Sequence, residues 1–240
     1  MMDQKILDNL VTKFQSNKSN VYREYAQHLF LSYFYRKENS EKVLFKGGTA
    51  LRVIYKSSRF SEDLDFSGTE INQKEIENIL GEVLDDLDKE NLKASLEEAK
   101  PTSGGYLSNI SLEVYGLKLT IAVQISLRKK NVKEFQTIPI TNEYISSYVI
   151  YALPLLELAG EKLQAGLTRG KPRDYFDIYF LLKERLLPGA VIPELEDIGK
   201  VLEKKQINFQ RELGIFLPLS MKPFIKSFPE PLLNEIHRFS

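Results

Sequence analysis

The sequence contains no cysteine and only two histidines among its 240 residues. Without thiols no disulfide can staple the fold, which suits a reducing compartment. His28 and His237 stand far apart in the chain, so His28 reads as a helix-packing or surface residue rather than a metal ligand. Net charge is missing too: 33 Lys and Arg are balanced by 33 Asp and Glu. A globally basic nucleic-acid surface is therefore not indicated, and a polyanion would be met by a local patch. No apolar run approaches the length of a membrane-spanning helix, and Met1-Met2-Asp3-Gln4-Lys5 lacks the apolar stretch of a secretion signal. The expectation is a soluble, cytoplasmic protein with no membrane partner. What is present is 42% hydrophobic residues, enough for a sizeable core, in a length that allows one large domain or two smaller ones sharing a cleft.

The stretch richest in chemistry is Val43-Leu44-Phe45-Lys46-Gly47-Gly48-Thr49-Ala50-Leu51, followed by Arg59-Phe60-Ser61-Glu62-Asp63-Leu64-Asp65-Phe66. Val43 to Lys46 read as a buried strand end and Gly47-Gly48 as a tight turn with backbone N–H groups facing a ligand. Thr49 to Tyr55 read as a short helix. Asp63 to Phe66 read as the next strand, where alternation sets Asp63 and Asp65 on one face and sends Leu64 and Phe66 into the core. Paired carboxylates beside a helix N-terminus suit a phosphate chain and a hard divalent cation that bridges it to the acids. The same letters also fit an ordinary connection and the solvated face of an edge strand. The motif alone leaves both readings open.

Further along, Glu161-Lys162-Leu163-Gln164-Ala165 and Arg173-Asp174-Tyr175-Phe176-Asp177-Ile178-Tyr179 complete a pattern with the two segments above. In this order and separation, across about three quarters of the chain, the motifs resemble the AbiEii/AbiGii toxin family, the nucleotidyltransferase-like toxins of bacterial abortive-infection and toxin–antitoxin systems. The resemblance implies an α+β, polymerase β-type nucleotidyltransferase fold: a small mixed sheet with flanking helices, plus a helical second domain. The expected division is a nucleotidyltransferase domain with N-terminal helices over 1–134 and a mainly helical domain over 135–240 that completes the cleft. It further implies catalytic roles for Asp63, Asp65, Lys162 and Asp174, with Mg²⁺ or Mn²⁺ on Asp63 and Asp65. Lys46, Gly47, Gly48, Thr49, Arg59, Ser61, Lys162 and Asp177 would contact the NTP co-substrate. The implied acceptor is RNA, most specifically a tRNA end, and the implied partner is a cognate antitoxin encoded by a neighbouring gene.

Residue patterns fill in the remainder. Apolar stripes predict helices over 3–15, Val21 to Tyr35 and, after a cap at Thr69 or Asn72, a helix whose packing face is Ile76, Ile79, Leu80, Val83, Leu84 and Leu87. The acids around its end, Asp85, Asp86, Asp88 and Glu90, read as solvated charge. Residues 91–99 predict a strand, Pro101 to Gly105 a turn, and Tyr106 to Tyr115 and Leu117 to Arg128 two strands of period two. In the resembling family a third carboxylate often lies on such a strand; the position here is Gln124, whose amide is a poorer Mg²⁺ ligand and no base. Glu113 is the alternative acid. From Pro139 the composition reads as helical, with helices over Leu153 to Leu167 and Arg173 to Leu187 and helical pieces at 193–204, 208–215 and 221–238. Glu157, Glu161 and Lys162 are able to reach outward from the first of these. As a first-turn acid, Asp174 also fits a simple complement to the helix dipole. Local cations at Arg128 to Lys133 and Arg169 to Arg173 are the surfaces expected to meet an RNA backbone.

Three functions are compatible with this pattern: nucleotidyl transfer to RNA, transfer to a protein or small-molecule hydroxyl, and nucleotide binding without turnover, the last suggested by Gln124.

Overall fold

The computed structural model describes residues 1–127, 134–187 and 192–239. The basic run Arg128 to Lys133 lies outside them. The chain divides into two compact units: Met1–Lys56 with Phe60–Leu153, and Ser57–Arg59 with Pro154–Ser240.

The first unit opens with two helices, α1 (Gln4–Lys13) and α2 (Lys18–Phe34), each started by a side chain that accepts from an orphan backbone N–H. Asp3 accepts from Lys5 and Asn17 from Asn20, both at 2.8 Å. Next come β1 (Val43–Lys46), α3 (Gly47–Val53), β2 (Leu64–Gly68) and α4 (Gln73–Lys89). Asn72 caps α4 in a reciprocal box with Glu75. The long strands β3 (Lys93–Thr102), β4 (Gly105–Val114) and β5 (Leu117–Ser126) follow, then β6 (Gln136–Ile140) and β7 (Tyr148–Ala152). All seven strands form one mixed sheet in the order β3-β4-β5-β2-β1-β7-β6. β2 runs parallel to β5 and β1 parallel to β7, and the other neighbours are antiparallel.

The expected period of two is visible in β5, where Leu119, Ile121, Val123 and Ile125 are buried while Lys118, Thr120 and Gln124 are exposed. α2 and α4 pack against this sheet and each other. Ile76, Ile79, Leu80, Val83 and Leu87 of α4 are buried, and the Phe34 and Phe66 rings stack at 5.3 Å. The acids near the end of α4 are not merely solvated. Asp86 meets Lys37 at 2.6 Å, and Glu90 meets the Tyr33 hydroxyl at 2.8 Å.

The expected boundary at 134/135 is corrected to Leu153/Pro154. β6 and β7, in the segment expected to open a helical domain, pair with each other and join the sheet through Phe45 and Ala152. Pro139 sits in β6, the edge strand, where a missing N–H need not break a ladder.

The second unit is helical: α5 (Leu155–Thr168), α6 (Pro172–Lys183), α7 (Ile192–Lys204), α8 (Phe209–Leu213), α9 (Lys222–Ser227) and α10 (Glu230–Phe239). α6 packs against α5, α8 and α10. Gly166 lets α5 and α6 close, since a Cβ there would stand 2.7 Å from Ile178 Cδ1. Tyr179, Phe209, Phe224 and Phe228 make an aromatic core with centroid separations down to 4.8 Å. The helix expected over 221–238 is two, interrupted before Glu230 at Phe228-Pro229. No helix among the described residues is long and apolar enough to cross a membrane.

Candidate active site

Lys46 ends β1 in an extended conformation, and Gly47 enters α3 with φ +82°, a backbone that L side chains rarely adopt. A Cβ on Gly47 would lie 2.7 Å from Asp65 Cβ and nearer still to Oδ2. The glycine thus serves two purposes: it makes the turn, and it leaves room for the Asp65 carboxylate. α3 begins at Gly47 rather than near Thr49, because the glycine turn is itself the helix's first step. Thr49, buried, donates its hydroxyl to the Asp63 carbonyl. β2 begins at Leu64, so only Asp65 stands on the strand and Asp63 lies on the approach to it. The alternation holds nonetheless: Leu64 and Phe66 are fully buried, and Asp63 and Asp65 are half-exposed.

Sheet register then defines a row. Asp65 is the lateral partner of Lys46 on β1 and of Gln124 on β5. Laterally paired residues share a face, so a lysine, a carboxylate and an amide line up across three strands. Gln124 therefore occupies the position beside Asp65 where the family's third acid was sought. Glu113 cannot replace it. The partner of Gln124 on β4 is Leu107, and six residues of strand from Leu107 to Glu113 span about 20 Å. Glu113 instead neighbours Lys118 and pairs with Lys93 at 3.8 Å.

Several supports of this row escaped sequence reasoning. Gln27, buried on α2, donates Nε2 to the carbonyls of Ser61 (3.1 Å) and Glu62 (2.9 Å) and so fixes the approach to Asp63. Glu24 accepts from Arg52 of α3 at 2.7 and 3.0 Å and from the Tyr144 hydroxyl at 2.7 Å. The Arg52 guanidinium lies 3.8 Å over the Phe60 ring. The available signal was Glu24, Gln27 and His28 close together in a helix otherwise rich in Tyr and Phe. His28 is a packing residue as expected: its Nδ1 meets the Tyr148 hydroxyl at 2.8 Å, and burial pulls its pKa down to about 4.

The second unit gathers a different cluster. Arg59 approaches Asp177 through Nε (2.9 Å) and Nη2 (3.0 Å), and Lys162 Nζ reaches Asp177 Oδ2 at 2.8 Å. All three are buried, with residue exposures of 3%, 7% and 1% for Arg59, Lys162 and Asp177. Lys162 points inward because it shares this carboxylate. Burial pushes the Asp177 carboxyl up, but the Arg59 and Lys162 charges outweigh it and hold the pKa below the usual value. The motif's two acids divide their partners. Asp174, fully buried in the first turn of α6, accepts from Lys171 N at 3.1 Å and from Arg169 at 2.8 and 2.6 Å. The structure thus joins Lys162 to Asp177 and engages Asp174 in the α5–α6 turn.

Among the described residues there is no group of three or more His, Cys, Asp or Glu able to hold a metal. Two carboxylates with a neighbouring amide oxygen still suit Mg²⁺ or Mn²⁺. Mg²⁺ in particular is usually held by one or two carboxylates while waters and substrate phosphates complete the octahedron. The residues present fit such an ion.

A family model described as "Nucleotidyl transferase AbiEii toxin, Type IV TA system" matches residues 29–237. Two solved structures share the fold. One, described as a candidate nucleotidyltransferase from H. pylori, is 20% identical with a TM-score of 0.66, over 93% of this chain and 95% of its own. The other, JHP933 from Helicobacter pylori, is 20% identical with a TM-score of 0.63, over 93% of each chain. No curated protein matches.

Proposed function

Because the chain belongs to the AbiEii nucleotidyltransferase toxin family, we propose that it transfers a nucleoside monophosphate from an NTP to an RNA acceptor, a tRNA end, in the cytoplasm. The toxin would be held in check by an antitoxin encoded beside it. The observation that carries this reading is the row Lys46, Asp65 and Gln124 beside the Gly47 turn, with Asp63 on its approach.

In this reading Asp63 and Asp65 would hold a divalent cation, which would supply charge stabilisation for phosphoryl transfer. Gly47 and Gly48 admit phosphate oxygens close to the backbone, and Lys46 offsets their charge. Thr49, Gln27 and the Glu24–Arg52 pair act indirectly, by fixing the segments that carry the acids. Gln124 contributes an amide oxygen or a hydrogen bond but cannot take the proton of the attacking hydroxyl. The family resemblance gives Lys162 the task of offsetting phosphate charge, with Asp177 orienting it.

Purified protein incubated with Mg²⁺, labelled NTPs and total bacterial RNA or protein tests the reading. Label in tRNA that disappears with Asp65→Asn is the expected result. Label in protein only would move the acceptor to a protein hydroxyl. Nucleotide binding without incorporation into either would favour the regulatory alternative that Gln124 suggests.

A further inference from the structure

We propose that the turn between α5 and α6, together with the residue that follows α7, is the surface on which the phosphate backbone of the RNA rests; this builds on the RNA reading above. Thr168 to Asp174 carry three cations, Arg169, Lys171 and Arg173, against one acid, in a chain with no net charge, although Arg173 also meets Glu212 of α8 at 3.7 Å. That acid is turned inward. Asp174 is fully buried, and its oxygens are committed to Arg169 and to Lys171 N. It shapes the turn and presents no exposed negative charge to a ligand.

Lys205 adds a further cation from a different segment. Its Nζ lies 3.4 Å from the point where a Cβ on Gly170 would stand, so the missing side chain at Gly170, φ +58°, is what lets this ammonium approach the turn. The Tyr175 hydroxyl lies 2.6 Å from the same point. It is buried and has no hydrogen-bond partner among the described residues, an uncommitted donor beneath the turn. Lys171 and Lys205 are exposed, and Arg169 keeps half its side chain in solvent.

The chemistry favours a phosphate chain over an acidic protein. A protein interface needs an apolar centre inside its polar rim, and the apolar residues of this turn, Pro172 and Tyr175, are buried. What the surface offers is cations, which bind phosphates without regard to base identity.

Binding of bulk bacterial tRNA to the full chain, measured by anisotropy over a range of KCl concentrations, tests the proposal. The double variant Lys171→Glu/Lys205→Glu should bind tRNA about tenfold or more weakly near 0.1 M salt, with a salt slope shallower by about one to two. Its affinity for nucleotide should not change. Lys171→Gln/Lys205→Gln should change the slope alike, and it carries the decision if charge reversal disturbs folding. Unchanged tRNA affinity and slope in the folded variant overturn the proposal while leaving the RNA reading intact. Wild type that binds no tRNA but labels protein overturns both. Loss of an acidic protein partner, with tRNA binding intact, reassigns the surface to that partner.

Discussion

Each unit contains carboxylates that the sequence pattern groups together, but their surroundings are opposite. Asp63 and Asp65 are half-exposed at the start of the interior strand β2, beside a glycine that keeps the space around Asp65 open. Asp177 is sealed from solvent and shared by two cations. An acid that recruits a metal must remain reachable by ion and phosphate, whereas a buried acid between two cations holds those cations in place. On the proposed reading, the contrast separates residues that would meet ligand from residues that would position them, which their spacing in the sequence does not do.

Stability should show the contrast most strongly. Asp177→Ala leaves Arg59 and Lys162 buried without their counter-charge, and removing one partner of such a group costs about 3–5 kcal/mol. Urea unfolding should register that loss. Asp65→Asn, at a half-exposed position, should stay within about 1 kcal/mol of wild type. Equal stabilities for Asp177→Ala and wild type would erase the distinction.

Activity should reverse the order between folded variants. Asp65→Asn removes an anionic ligand and should slow Mg²⁺-dependent transfer about 100-fold or more. Gly47→Ala should act in the same direction without touching a carboxylate, since its methyl group collides with Asp65 and its φ disfavours a side chain. Full activity in Gly47→Ala would show that the close approach of turn and acid is dispensable.

How much of this was legible in the sequence depends on the range of the interaction. The Gly47-Gly48 turn, the alternation around Asp65 and the Gln124 position are written in local pattern and period, and all appear in the fold. The inward course of Lys162 was not, because its partner Asp177 and the distant Arg59 are brought to it only by tertiary packing. Gln27 was invisible for the same reason: its acceptors are carbonyls in a loop far along the chain. The misplaced domain boundary has a local cause. Pro139 and the short, tyrosine-rich segment after it carry a weak strand signal, and pairing rather than propensity makes them β6 and β7.

Acid should distinguish the two regions by pH window. His28 in the first unit has a folded pKa of about 4, below its unfolded value near 6.5. The unfolded chain therefore takes up a proton first: stability is full above about pH 6.5 and falls as pH drops toward 4, by about 2 kcal/mol at pH 5. Asp177 in the second unit is also depressed, but from 3.8. Its contribution is present above that value and is lost only as pH falls further, through the folded pKa. His28→Gln should flatten the stability profile between pH 6.5 and about 4 relative to wild type. An unaltered profile would mean that His28 is not the group responsible.

The smallest effect belongs to the acid that the sequence pattern placed among the catalytic residues. Asp174 is as buried as Asp177, but its charge partner Arg169 is half-exposed, and one of its oxygens caps the backbone at Lys171. Asparagine keeps an oxygen for that cap and loses only a charge pair whose cation can turn to water. Asp174→Asn should therefore cost about 1–2 kcal/mol, less than Asp177→Ala. If Asp174 shapes the turn and does not touch reacting groups, the variant should retain its transfer rate within about threefold once fully folded, and any change should appear in the KM for RNA rather than in kcat. Toxicity of the induced variant in bacteria should match wild type. A kcat collapse like that of Asp65→Asn, in a folded protein with unchanged nucleotide affinity, would return Asp174 to the chemistry and break the division between exposed acids that act and buried acids that position.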